Sequence, residues 1–375
     1  MQGRSGIENK KRIVVKVGTS TLTYDTGKLN YHRIDHLVMQ LADLVNQGKE
    51  VVLVTSGAVG AGLAPLGFKE KPATIREKQA AAAVGQGLLL NIYEKFFREY
   101  GKTVGQILLT KADSIHRKNF INSRNTLLTL LEMGVIPIIN ENDAVAIDEL
   151  KIGDNDTLSA MVSSLVDADL LIILSDVEGV YTKNPQKYAD AELISEIEEI
   201  DEHLYQIAGG AGTSRGTGGM YTKIQAASIA TSAGVDMIIA SGSMPQVLLQ
   251  ICEGKPVGTH FKAKDIRPHM KKRWLAAGTR ISGTISVDMG CKKALLEKGS
   301  SLLPVGIVHV DGNFEEGDIV SVRCGDLEIA KGIVGYDSQT LSRIQGLKTP
   351  AVMETLGSDY TYEEAIHRDH MTILV

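Results

Sequence analysis

Apolar residues along this chain arrive in two alternating rhythms. Short runs at 13–17, 51–54, 104–109, 135–139, 170–174 and 237–240 are almost wholly apolar and rich in β-branched side chains, which predicts strands buried on both faces. Between them the spacing changes to steps of three and four. Ile34, Leu37, Val38, Leu41, Leu44 and Val45 mark one amphipathic helix, with Gly48 where a C-terminal cap belongs. Further helices are predicted over 74–100, 119–133, 220–233 and 246–252, and another begins near Asp154 with Leu158, Met161, Val162 and Leu165 on its apolar face. Strands alternating with helices call for a mostly parallel sheet covered on both sides, a three-layer αβα sandwich. Ligands of such sheets collect beyond the carboxyl ends of the strands. Four loops at that edge are loaded with glycine, hydroxyl and charge: Gly18-Thr19-Ser20, Ser56-Gly57, residues 140–143, and Ser175-Asp176. A single composite site is predicted there.

Near Phe261 the pattern stops. Lys262, Lys264, Arg267, Lys271, Lys272 and Arg273 follow with only Asp265 opposing them, and read as a connector. Beyond it, short β runs at 299–306, 308–310, 317–322 and 329–332, separated by Gly, Asp and Asn, predict a small C-terminal β barrel. The expected organisation is an α/β domain over 1–260, a basic linker over 261–280, a barrel-like domain over 281–359 and a tail over 360–375. At 375 residues the chain is too long for one ordinary core, which suits two domains.

Composition narrows the function classes. A net charge of -5 gives no global case for nucleic-acid binding. Cys252, Cys291 and Cys324 lie far apart with no CxxC, so neither a zinc site nor a disulfide framework is indicated, and a cytoplasmic setting fits. Cys252 reads as a small buried apolar residue, and His116 and His203 have no second ligand at metal spacing. The N-terminus lacks the apolar segment of a signal peptide, and the longest uncharged run, 51–68, is broken by glycines and a proline, so no membrane span is expected.

The chemistry concentrates in three places. Asn140, Glu141, Asn142 and Asp143 form one polar cluster and Asp154, Asn155 and Asp156 another. Asp and Asn at such junctions also serve as turn formers and helix caps. Thr213-Ser-Arg-Gly-Thr-Gly-Gly-Met-Tyr-Thr-Lys223 is a glycine-rich loop that opens into a helix, an arrangement suited to phosphate because backbone N–H groups and the helix dipole both favour an anion. It matches neither the Walker A spacing nor GxGxxG. Lys16, held within the apolar run IVVKVG, offers a second cation beside a second close-approach glycine. Two lysines and two such loops supply the charge and alignment that phosphoryl transfer needs. If the acceptor is a carboxylate, no general base is required, since a side-chain carboxyl of pKa about 4.3 is already ionised. The acidic groups then have three open roles: gripping a substrate ammonium, holding Mg²⁺ through nucleotide phosphates, and orienting the lysines.

Six motifs in order, VVKVGTS at 14–20, TSGAV at 55–59, NEND at 140–143, GDND at 153–156, SDVEG at 175–179 and GTGGMYTK at 216–223, resemble the glutamate 5-kinase family of the amino acid kinase superfamily, and the tail resembles the PUA domain that many bacterial members carry. The resemblance implies the amino acid kinase fold and ATP-dependent phosphorylation of the L-glutamate side-chain carboxylate, the first step of proline biosynthesis, with Mg²⁺. It assigns catalysis to Lys16, Lys223 and Asp156, and glutamate binding to Ser56, Asp143, Asp154 and Asn155. ATP contacts fall to Lys16, Ser175, Asp176, Thr217, Gly218, Gly219, Met220, Tyr221, Thr222 and Lys223, with no protein metal ligand. It also implies feedback inhibition by L-proline, placed between about Arg117 and Asp143, and a homo-oligomer. Ser175 stands where the pattern suggests Thr, and keeps the hydroxyl. The residues before Lys11 receive no role. Two alternatives stand beside this reading: a kinase for a related amino acid or carboxylate, and an RNA-binding or regulatory protein on a kinase scaffold. The basic linker and the PUA-like tail motivate the latter, although a solvated connector is the plainer reading of that linker.

Overall fold

The computed structural model describes residues 4–24, 28–68, 70, 72–110, 117–145, 155–185, 187–208, 219–263, 281–325, 327–357, 363–368 and 371–374. The chain divides into two compact units, Met1–Asp265 and Ile266–Val375.

The apolar runs of the first unit become β1 (Arg12–Val17), β2 (Glu50–Val54), β3 (Val104–Leu109), β4 (Ile136–Glu141) and β5 (Leu170–Ser175), followed by β6 (Glu196–Ile197), β7 (Asp236–Ser241) and β8 (Thr259–Phe261). They form one sheet in the order β3-β4-β2-β1-β5-β7-β8-β6. Six strands, β3 through β7 in that order, run parallel, while β8 is antiparallel to β7. The chain leaves β1 toward β2 on one side and leaves β5 toward β7 on the other, so adjacent strands β1 and β5 diverge at their carboxyl ends. That divergence opens a crevice.

Period-two alternation sorts each strand between two cores. Ile13, Val15, Val17, Val51 and Leu53 pack with the helices Tyr31–Asn46, Ile75–Glu99 and Val247–Cys252. Val14, Val52, Val54, Leu171 and Ile173 pack with the helices Arg117–Glu132, Asn155–Leu165 and Met220–Ser232. These two cores are the three layers in physical terms. The helix Ala58–Leu63 lies against Ile75–Glu99 so closely that a Cβ at Gly62 would stand 1.9 Å from the Ala81 carbonyl oxygen, and one at Gly85 1.8 Å from that of Ala58.

Strands β6 and β8 lie outside the six predicted ones, and they bring a correction at both ends of the domain. Phe261, set at the start of the linker, is a fully buried β8 residue, and Lys262 is paired with Glu196 at 2.7 Å and Glu198 at 2.8 Å. Residues 4–10 are structural. The Arg4 guanidinium donates to the carbonyls of Val257, Ser195 and Gly258, each at 2.7 Å, Ile7 is buried, and Lys10 pairs with Asp236 at 2.5 Å. Lys264 through Arg273 fall outside the described residues.

The second unit holds β9 (Gly283–Val287), β10 (Ile307–Gly312), β11 (Ile319–Cys324), β12 (Leu327–Ile333) and β13 (Met371–Ile373), in the order β10-β9-β11-β12-β13. β13 pairs antiparallel with β12, so residues assigned to a separate tail complete the sheet. The predicted strand at 299–306 is not one: Pro304 opens a single 3-10 turn, Pro304–Gly306, and only Leu302 keeps a bridge, to Ile366. Among the described residues no helix is long and apolar enough to cross a membrane.

Because the close approach at Gly85 is to backbone, which cannot swing aside, Gly85→Ala is expected to cost about 1–3 kcal/mol through overpacking. The thermal midpoint of the full-length protein, followed by calorimetry, should fall by several degrees; an unchanged midpoint would show that the two helices separate freely.

Candidate active site

Lys16 shares the face of β1 that carries Val14, and so points into the layer occupied by the helices Asn155–Leu165 and Met220–Ser232. A buried ammonium needs a counter-charge. Asp156, in the first turn of the former helix, supplies it: Lys16 Nζ lies 2.6 Å from Asp156 Oδ1, and Lys223 Nζ, from the latter helix, lies 3.1 Å from Asp156 Oδ2. Asp156 is 0% exposed, Lys16 6% and Lys223 5%. The Thr222 hydroxyl stands 3.1 Å from Asp156 Oδ2 and 2.7 Å from the Gly219 carbonyl oxygen. Burial alone would raise the Asp156 carboxyl, but the charges of Lys16 and Lys223 outweigh it and hold the group below the usual carboxylate range. Two ammonium groups around one carboxylate leave a net positive charge facing the crevice.

Next to Asp156 a second cluster forms. Asn155 Nδ2 lies 2.7 Å from the Thr55 carbonyl, 2.7 Å from Ser56 Oγ and 3.0 Å from Asn140 Oδ1, sharing its two protons among three acceptors. Asn140 Nδ2 donates to Gln86 Oε1 at 2.8 Å. Thr55 Oγ1 is bonded to the hydroxyl of fully buried Tyr93 at 2.8 Å, and burial pushes that phenol's pKa up. These contacts join the ends of β2 and β4 to the helix Ile75–Glu99. Gly57 then turns the chain at φ 100, a left-handed conformation that favours glycine, and caps the helix Ala58–Leu63. Asp143 stands half-buried in the turn after β4.

On the other side of β1, Ser175 ends β5 and donates its hydroxyl to Asp176 at 3.0 Å. Gly219 is the N-cap of Met220–Ser232, and no side chain caps it, which leaves the first turn's N–H groups for an anion. Tyr221 rests against Tyr205, ring centroids 5.6 Å apart. The structure therefore gathers Lys16, Asp156, Thr222 and Lys223 into one buried cluster and Ser56 and Asn155 into another, with Ser175, Asp176, Gly219, Met220 and Tyr221 at the same sheet edge. Asp154, Thr217, Gly218 and His116 lie outside the described residues. His203 is exposed, and Cys252 is buried with its thiol pushed up to about 11 by desolvation. Gln86 was missed as a site residue, and Asn140 was marked only within the polar cluster 140–143. The available signal was chemical isolation: Gln86 is the one polar side chain in the run AAAAVGQGLLL at 80–90.

Residues 11–241 match the model of the Amino acid kinase family, and residues 283–356 match that of the PUA domain. A protein named glutamate 5-kinase from Thermoanaerobacter sp. (strain X514) is 53% identical over 364 residues, which are 97% of this chain and 98% of the relative. The glutamate 5-kinase of Moorella thermoacetica is 51% identical over 372 residues, 99% of this chain and 98% of its own length. That of Herpetosiphon aurantiacus is 48% identical over 361 residues, 96% and 97% of the two chains. A crevice built on paired buried lysines, and likeness over nearly the full length, lead to one conclusion: the chain belongs to the amino acid kinase family and, within it, to the glutamate 5-kinases.

Proposed function

We propose that this protein transfers the terminal phosphoryl group of ATP to the side-chain carboxylate of L-glutamate, giving L-glutamyl 5-phosphate, the first step of proline biosynthesis, in the cytoplasm. The observation that carries this reading is the buried Lys16–Asp156–Lys223 assembly at the divergence of β1 and β5, flanked by the amide cluster of Ser56, Asn140 and Asn155. A phosphoryl group in flight spreads negative charge over its oxygens. The lysines meet that charge, and Asp156 holds both at fixed positions while reducing their mutual repulsion. The carboxylate acceptor arrives ionised and attacks as it stands. Nothing in the assembly needs to take a proton, because Asp156 is held ionised by its two partners.

The nucleotide is assigned to the Ser175 and Gly219–Lys223 side of the crevice and the amino acid to the Ser56, Asp143 and Asn155 side, so the transferring group crosses over the end of β1. Mg²⁺ belongs to the proposal as the companion of ATP. Both Asp156 oxygens already face ammonium groups. The ion is therefore assigned to the nucleotide's own phosphates, where it neutralises charge.

Purified protein given ATP, Mg²⁺ and single amino acids should release ADP with L-glutamate and not with L-aspartate or N-acetyl-L-glutamate. Turnover of either alternative without turnover of L-glutamate would end the assignment. In the same assay Lys223→Ala should lose kcat by two or more orders of magnitude, in line with loss of a preorganised electrostatic donor; a change confined to KM would assign Lys223 to ground-state binding.

The Asp156 charge also links stability to pH. Its folded pKa is depressed below the unfolded value of about 3.9, so its contribution is complete well above that pH and is lost as pH falls through the folded value. Asp156→Asn strands two buried lysines and should destabilise the protein at pH 7 by about 3–5 kcal/mol. The gap in thermal midpoint between wild type and variant should close as the pH is taken below about 4, and a gap independent of pH would refute the linkage.

A further inference from the structure

We infer that Gly242 is a positioning residue for the nucleotide: its missing side chain seats the loop after β1 against the end of β7, and so registers the turn beside Lys16 with the exit of β5. The inference rests on the proposed ATP site and adds a residue that the six motifs did not mark.

Gly242 directly follows β7, whose last residue, Ser241, lies opposite Ser175 at the carboxyl end of β5. Its N–H donates to the Ser175 carbonyl at 2.8 Å. On its other side stands Thr21, from the short helix Thr19–Leu22 that follows β1. A Cβ at Gly242 would lie 2.6 Å from Thr21 Cγ2 and 3.1 Å from Thr21 Oγ1. Carbon atoms in contact stand about 3.5–4.0 Å apart, so a side chain here does not fit. The backbone of Gly242 is not left-handed, and space alone asks for glycine.

The contact reaches the chemistry through one turn of backbone. The Thr21 N–H donates to the Gly18 carbonyl at 3.1 Å and closes the turn at the end of β1. Gly18 lies beside the ammonium of Lys16, since a Cβ on it would stand 3.6 Å from Lys16 Nζ. A shift of Thr21 therefore moves the backbone next to that lysine. No side-chain hydrogen bond holds Thr21, whose buried Oγ1 has no partner among the described residues, and its seat against Gly242 is packing. The loop of Gly242 is tied more firmly. Ser241 Oγ and Ser243 Oγ lie 2.8 Å apart, the Met244 N–H reaches the Ser241 carbonyl at 3.3 Å, and the Gly242 N–H is held by Ser175. An added methyl group at 242 is thus relieved at Thr21, and the turn beside Lys16 parts from Ser175. Ser56 and Asn155 lie on the other side of β1, bonded to each other and to Thr55 and Asn140.

Titration calorimetry of the full-length protein with Mg²⁺ and the non-hydrolysable β,γ-imido analogue of ATP reads the effect without turnover. Gly242→Ala should weaken binding of the analogue about tenfold or more, the scale of one overpacked contact, and binding of L-glutamate far less. In a Thr21→Ala background, which removes both Cγ2 and Oγ1, the same methyl group should cost under about twofold. Should Gly242→Ala not fold, Thr21→Ile crowds the contact from the other side and should weaken the analogue with the same selectivity. Wild-type affinity for the analogue in Gly242→Ala, an equal loss for L-glutamate, or the same loss with and without the Thr21 side chain would each overturn the inference. A wild type that binds the analogue yet releases no ADP with L-glutamate would instead overturn the kinase reading, while the titrations still decide the role of Gly242.

Discussion

A carboxylate with no exposure to water is tolerable only where positive charge surrounds it, and in this protein that requirement organises the whole crevice. Asp156 is held between Lys16 and Lys223, which reach it from a strand and from a helix far away in sequence. Lys16 can meet it because β1 alternates residue by residue between two cores, and the even-numbered residues 14 and 16 face the layer of Asp156. Lys223 can meet it because the helix Met220–Ser232 packs beside Asn155–Leu165 on that same side. Fold and chemistry are one constraint here: a shift in β1 register by one residue would aim Lys16 at the opposite core and leave Asp156 without one partner.

The dense acidic stretch at 140–157 suggests acid–base chemistry at first sight, and the geometry turns it to positional work. Asp156 aligns cations. Asn140 and Asn155 are neutral, and hydrogen bonds with the Glu141 N–H and the Thr55 carbonyl fix how each amide is turned. Adjacent residues on one helical turn thereby face two neighbouring clusters, since Asn155 turns to the loop after β2 while Asp156 turns to the lysines. One turn of helix sets the distance between the amide cluster and the lysine cluster.

How much of this the chain announces depends on how local the signal is. The six parallel strands are legible because burial on both faces demands unbroken apolar runs, Lys16 because a cation inside such a run is conspicuous, and Lys223 because it follows a glycine-rich loop. β6 and β8 are two and three residues long, too short for periodicity to register, and the apolar side chains of β8 amount to Phe261 alone. Arg4 receives no role from the sequence and Lys262 reads as part of a solvated connector, yet their partners are carbonyls and carboxylates some 60 to 250 residues away, which no local pattern encodes. The run 299–306 looks like a strand until Pro304 withdraws its N–H and bends the backbone into a turn. Gln86 stayed hidden for a similar reason: its partner is 54 positions on, and only the folded chain puts an amide opposite it.

The helix that carries Asp156 must also be held in place along its axis, and its two ends are secured by charge of opposite sign. Asp156 sits in its first turn, where the positive end of the helix dipole favours an anion. At its C-terminal end two guanidinium groups reach the exposed carbonyls, Arg124 bonding that of Leu165 and Arg12 that of Val166. Arg124 also pairs at 2.6 Å with Asp167, which adopts φ 49, a left-handed turn more often given to glycine at such a terminus. Arg12 belongs to β1, the strand that presents Lys16 four residues later. The same strand therefore grips the helix near its last turn through Arg12 and at its first through Lys16. A displacement of the helix along β1 would strain both contacts together.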